Sequence, residues 1–221
     1  MQYNSSDKGQ NSVRAIDNFG RVSRRKSRTR EKLIVAAQSL LITKSVEKIN
    51  IQDITEKADV GIGTFYNHFS SKNDLFEAVA DIFFVKTMQA LDEISQGLED
   101  DAEIACYCYR FMLQQVSDKS NWSIIRQISN GCIREKLIYR ARRDTQAGIE
   151  SGRFNIDNLD VFVKFIPSMI LGVMNDVVEG LLSSEQAEYT VIYYLRLLGI
   201  NESEAIRLSE LPLPTYTKVR I

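Results

Sequence analysis

Thr64, Tyr66, Asn67 and His68 place four different hydrogen-bonding side chains within five residues, with Ile62 just ahead of them. A short hydroxyl, an amide and a phenol on a rigid ring suit base edges in a major groove, where an apolar side chain such as Ile62 meets a thymine methyl. The set does not suit covalent chemistry. His68 is the only histidine, so a histidine zinc site or a Ser-His-Asp relay finds no support.

The surrounding spacing predicts how these residues are held. Ile51, Ile54 and Ala58 recur at i, i+3 and i+7, one apolar face of a short helix, and Asn50 with Asp53 is an N-cap pair. That helix should stop near Asp59. Val60 and Gly61 then form a tight corner, and a second helix restarts from Gly61 with Phe65 and Phe69 turned inward, four residues apart. Leu33, Ala36, Ala37, Leu40 and Leu41 mark an earlier helix, from about Ser27 to Thr43. Before and inside its start lie Arg21, Arg24, Arg25, Lys26, Arg28, Arg30 and Lys32, opposed only by Glu31. Such a density of cations suits backbone phosphates or a minor groove.

The run from Asp53 to Leu75, with Gly63-Thr-Phe-Tyr-Asn-His-Phe69 and then Ser71-Lys-Asn-Asp-Leu75, resembles the DNA-binding domain of TetR-type transcriptional regulators over roughly residues 28 to 75. The resemblance implies that the helix from Ile62 to Phe69 enters the major groove, and that Thr64, Tyr66 and His68 stand at DNA-contacting positions. It also implies phosphate contacts by Thr29, at the start of the first helix, and by Lys72, at the start of the fourth. Arg28, Gly61, Gly63 and Asn67 complete the expected DNA-facing set. Two residues depart from the pattern. Gly61 stands where Ser is common, removing the usual hydroxyl cap, and Asp59 stands where Gly is common.

A chain of 221 residues at 44% hydrophobic content can bury a sizeable core, and its three prolines leave room for long helices. The net charge of −1 hides an asymmetry. Residues 1–75 carry 13 Lys or Arg against 8 Asp or Glu, and the remainder carry 15 against 21, which puts a nucleic-acid partner at the front. No apolar run approaches the ~20 residues of a membrane span and no signal peptide is evident, so a cytoplasmic protein without a membrane partner is expected. Cys106, Cys108 and Cys132 are not spaced as a zinc site and read as buried free thiols; no cofactor or metal is expected.

Residues 1–22, rich in Asn, Ser, Asp and Gly, read as a disordered tail, 23–75 as the helix-turn-helix domain with its basic arm, and 76–221 as a helical ligand-binding and dimerisation domain. Apolar spacing through Leu75, Val79, Ile82, Phe83 and Met88 predicts a long fourth helix joining the two parts. Further helices are predicted at about 101–117, 120–130, 132–150, 158–182 and 184–198, with Gly131, Ser151-Gly152 and Ser183-Ser184 as stops. No strand pattern appears, so the fold class is all-α.

Tyr107, Phe111, Met112, Trp122, Ile125, Ile128, Phe165 and Met169 could line an apolar cavity, with Arg110, Arg126 and Asn175 orienting a ligand. By resemblance, the last two long helices pair into a four-helix dimer interface, with Val173, Val177, Tyr189, Ile192, Tyr193 and Arg196 as candidates. Pro167 should kink or start a helix. The expectation is a homodimeric repressor, not an enzyme, released from a palindromic double-stranded operator by an unidentified small molecule, apolar or amphipathic. The alternative is a DNA-binding protein whose second domain docks a protein or takes no ligand.

Overall fold

The computed structural model of the chain describes residues 7–117, 121, 132–215 and 219, and no strand occurs among them. The chain divides into two compact units, Met1–Ala78 and Val79–Ile221.

The first unit contains α1 (Asp7–Leu41), a 3-10 turn (Val46–Lys48), α2 (Ile51–Ala58), α3 (Ile62–Tyr66) and the start of α4 (Lys72–Ser95). The segment expected as a disordered tail is helical in its backbone from Asp7, so α1 starts some 20 residues earlier than the apolar spacing implies. The physical reason is cooperative: residues 7–22 contain no proline, and extending an existing helix costs no new nucleus. Leu33, Ala37, Ile54, Phe65, Phe69 and Leu75 close the core of this unit. Burying each phenylalanine contributes roughly 1.5–3 kcal/mol before entropy is counted.

Local chemistry sets the corner. Asn50 accepts from the Asp53 backbone N–H (2.8 Å) while the Asp53 carboxylate accepts from the Asn50 N–H (3.1 Å), a reciprocal cap that fixes where α2 begins. Asp59 ends α2 in the left-handed region at φ 55°, ψ 54°, where glycine is the unstrained choice. Gly61 caps α3 without a side-chain hydrogen bond. The expected helix from Ile62 to Phe69 is therefore shorter, and Asn67 and His68 lie just beyond its end.

The second unit holds the rest of α4, α5 (Asp101–Gln114) with a following 3-10 turn (Gln115–Ser117), α6 (Cys132–Glu150), α7 (Leu159–Val178), α8 (Ser184–Leu197) and α9 (Glu202–Ser209). Side-chain caps start most of these: Asp100 accepts from Ala102, Asn158 from Val161, Ser183 from Gln186 and Asn201 from Glu204. α7 stops at Val178, before the expected Leu182, because Gly180 turns the chain at φ 75°. Helix α9 has no counterpart in the periodicity reading, and the expected helix over 120–130 lies outside the described residues apart from Asn121. Pro167 sits inside α7 rather than at its start, which leaves the Val163 carbonyl without its usual helical donor.

The expectation that no apolar run approaches a membrane span needs correction. α7 is 20 residues long with mean hydropathy 1.6, long and apolar enough by length and composition to cross a bilayer. Val163, Ile166, Pro167 and Met174 of this helix are buried within the unit.

Candidate nucleic-acid interface and effector cavity

In the first unit the α3 corner presents Ile62 (51% exposed) and Tyr66 (56% exposed), with Gly61, Gly63 and Asn67 also exposed and Thr64 and His68 half-buried. Phe65 anchors this surface from beneath, edge-on to Tyr66 and tilted against Phe69. A Cβ built on Gly63 would meet nothing within 4 Å. No packing inside the unit calls for glycine there, and glycine within a helix costs roughly 0.5–1 kcal/mol relative to alanine. The missing side chain leaves the backbone open to the outside at this point.

Arg24, Arg25, Lys26, Arg28, Arg30 and Lys32 are all exposed on α1. Arg30 stacks its guanidinium 4.9 Å from the centre of the Phe69 ring, fixing one cation of this run to the base of the α3 corner. His68 has its pKa lowered, first by burial and then by Lys26 and Arg30, so the imidazole is neutral at physiological pH and offers one donor and one acceptor.

Two residues sit differently from expectation. Thr29 lies well inside α1 rather than at its start, and its hydroxyl donates to the Arg25 carbonyl (3.1 Å). Lys72, expected at a phosphate, directs its ammonium to the carbonyls of Val46 (3.0 Å) and Ile49 (2.9 Å), at the end of the 3-10 turn. The cause is electrostatic. A cation at the first position of α4 is repelled by the positive helix end, and backbone carbonyls at the end of a preceding turn attract it.

The second unit holds a partly open cavity of about 220 Å³ lined, among the described residues, by α4, α5, α6, α7 and α8. Met88, Leu91, Ile104, Met112, Leu137 and Ile170 make much of its wall apolar. Arg140, Asp144, Thr145, Cys108, Tyr109 and Tyr194 supply polar atoms. Arg140, only 11% exposed, bonds to Asp92 (2.7 Å) and Asp144 (3.2 Å). Tyr109 stacks on Tyr194 with ring centres 4.8 Å apart, and its hydroxyl meets Thr190 at 2.8 Å. Phe154 closes one part of the wall; a Cβ on Gly148 would fall 2.1 Å from its ring, so glycine is required for that approach.

Of the described residues expected around the ligand, only Met112 lines this cavity. Tyr107 and Phe111 are buried in the core, and Arg110 donates to the Leu211 carbonyl (2.5 Å). The reason is that α5 is apolar on two sides. Ile104, Cys108 and Met112 face the cavity, while the side holding Cys106 and Arg110 meets the C-terminal segment, with Cys106 donating to the Leu208 carbonyl (3.3 Å). Burial raises the Cys106 thiol to about 11, so it is inert, as expected for a buried free thiol. Phe165 is 49% exposed and neither it, Met169 nor Asn175 lines the cavity, while Trp122, Ile125, Arg126 and Ile128 lie outside the described residues. The missed signal was Arg140 with Asp144, an i, i+4 ion pair beside Leu137 and Ala141 on one helix.

Among the candidate interface residues, Tyr189, Tyr193 and Arg196 are exposed on α8, and Val173 and Val177 are half-buried on α7. Ile192 is a correction: at 7% exposure it belongs to the unit's own core, about 100° round the helix from the exposed Tyr193.

A helix-turn-helix unit with a basic first helix, in one chain with a helical unit that holds a cavity, defines the class of one-chain DNA-binding regulators. The profile described as bacterial regulatory proteins, tetR family, matches residues 33–79, and that of the tetracyclin repressor-like C-terminal domain matches 100–210. The chain belongs to the TetR family of transcriptional regulators. It is 40% identical over 73 residues, 33% of this chain, to the uncharacterized HTH-type transcriptional regulator YvdT of Bacillus subtilis (strain 168), and spans about a third (36%) of that relative's length. The structure of RolR in complex with its ligand resorcinol matches with a TM-score of 0.74 at 28% identity, over 88% of this chain and 100% of that one. A gamma-butyrolactone receptor, at TM-score 0.58 and 17% identity over 84% of this chain and 98% of that one, shares the fold.

Proposed function

We propose that this chain is a cytoplasmic, homodimeric repressor that binds a palindromic operator through α3 and is released by a small effector held in the second unit. The observation that carries the DNA reading is the exposed, glycine-opened surface of Ile62, Gly63, Tyr66 and Asn67 in the same unit as the basic run of α1. Base contacts then fall to Ile62, Thr64, Tyr66, Asn67 and His68, and backbone contacts to Arg28 and its neighbours. Thr29 is held inside α1 by its bond to the Arg25 carbonyl, and Lys72 positions the corner.

Dimerisation is supported by a stripe on α7 at helical spacing, Phe165, Met169, Gly172 and Val173, beside exposed Tyr189 and Tyr193 on α8. Gly172 is exposed and has open space around it, which favours close approach of a second helix. A twofold dimer sets two copies of α3 one helical turn apart, ~34–36 Å, matching two half-sites.

The cavity is smaller than the ~300–1,000 Å³ of drug-sized pockets. With a relative crystallised on resorcinol, it supports a single-ring effector. Moving the dimer from 99:1 operator-competent to 1:99 requires ~5.5 kcal/mol of effector preference for the released state.

The test is selection of bound sequences from a random duplex library by the full-length chain at near-physiological salt. A palindromic motif with two half-sites is expected. No motif, with binding that disappears as salt rises, overturns operator recognition and favours a second unit that docks a protein.

A further inference from the structure

The polar groups around the cavity divide into two kinds. Most are already matched: the Ser95 hydroxyl donates to the Leu91 carbonyl (2.8 Å), the Tyr109 hydroxyl meets Thr190, and Asp101 accepts from Ser151. Arg140 pairs with Asp92 and Asp144, and Arg143 pairs with Asp144 at 2.8 Å. Tyr194 and Thr145 are different. Both line the cavity, from α8 and α6, and among the described residues neither hydroxyl has a hydrogen-bond partner. Thr145 is buried, and Tyr194 lies deep enough that burial pushes its hydroxyl well above the usual tyrosine range, so it stays a neutral donor. Both hydroxyls reach the cavity space, so a ligand oxygen there gives either one the protein-side hydrogen bond it lacks, worth about 0.5–1.5 kcal/mol net.

Charge narrows the ligand further. The cavity wall carries Arg140 and Arg143 against Asp101 and Asp144, and Asp92 adds a further carboxylate on both arginines. Among the described residues of the wall, every cation is already paired with a carboxylate.

Resting on the effector reading above, we propose that Tyr194 and Thr145 are the effector-recognising hydroxyls of this cavity, and that the effector is an uncharged molecule bearing hydroxyl or carbonyl oxygens. The Tyr194 ring is held by its stack on Tyr109, so the hydroxyl is presented in place.

The experiment is calorimetric titration of the full-length chain, Tyr194→Phe and Thr145→Val with three probes of similar size: resorcinol, 3-hydroxybenzoate and toluene. Wild type should bind resorcinol at least tenfold more tightly than 3-hydroxybenzoate. Each substitution should weaken resorcinol about three- to tenfold, the worth of one neutral hydrogen bond, and leave toluene unchanged. Unchanged resorcinol affinity in both variants overturns the proposal while leaving the effector cavity standing. Equal losses for resorcinol and toluene also overturn it, because a merely structural role moves both. Binding of 3-hydroxybenzoate as tight as resorcinol overturns the uncharged class. A wild-type chain that binds none of the three overturns the effector reading and this proposal with it.

Discussion

Replacing Lys72 with methionine keeps the aliphatic stem and removes the ammonium that ties the first position of α4 to the 3-10 turn. Two bonds are lost, to the carbonyls of Val46 (3.0 Å) and Ile49 (2.9 Å), beside side chains that are both buried. A hydrogen bond to a charged group is worth about 1.5–3 kcal/mol, and discounting each to about 1–2 kcal/mol for the screening of a half-exposed lysine gives a total of roughly 2–4 kcal/mol. With a urea slope of ~2 kcal/mol/M, the unfolding midpoint of the first unit should fall by about 1–2 M. The assay is urea unfolding of the full chain followed through the amides of residues 46–75, alongside DNA binding as a function of salt under conditions where the variant is folded. The salt slope should stay that of the parent. Unaltered stability with a slope shallower by about one would refute the reasoning, since it would put the ammonium on a phosphate instead.

Gly63→Ala should stabilise the first unit by about 0.5–1 kcal/mol, because the added methyl meets nothing, yet weaken specific DNA binding at least tenfold; fluorescence anisotropy on a selected operator and thermal melting read the two effects separately. Glu204 is held down to about 2 by hydrogen bonds from Arg207 and Arg153. A depressed carboxylate stabilises above its unfolded value and loses that contribution as pH falls through the folded one. Stability of the second unit should therefore decline from the ordinary glutamate range toward about pH 2, and Glu204→Gln should flatten that part of the profile in acid melts. The double variant Phe165→Asp, Tyr193→Asp should sediment as a monomer while keeping its helical circular dichroism; a dimer that persists would remove α7 and α8 from the interface.

The local sequence determined the α2–α3 corner on its own. Asn50 and Asp53 stand three residues apart and so cap α2 reciprocally, and Phe65 and Phe69 stand four apart and so must share the inner side, which turns Ile62, Tyr66 and Asn67 outward. Short-range spacing is enough there because each helix has a single apolar side. Even at this corner the lysine at position 72 escaped prediction, since its partners lie 23 and 26 residues earlier in the chain.

Only the tertiary structure decided the cavity. α5 and α7 are apolar on more than one side, so periodicity ranks Tyr107 and Phe111 equally with Ile104 and Cys108, and Phe165 equally with Ile166. Long-range packing breaks that tie: the C-terminal segment, through the Leu208 and Leu211 carbonyls, takes the Cys106 and Arg110 side of α5 and leaves the opposite side to the cavity. Hydrophobic burial is non-directional, so a sequence can demand that a side chain be buried without specifying what it is buried against.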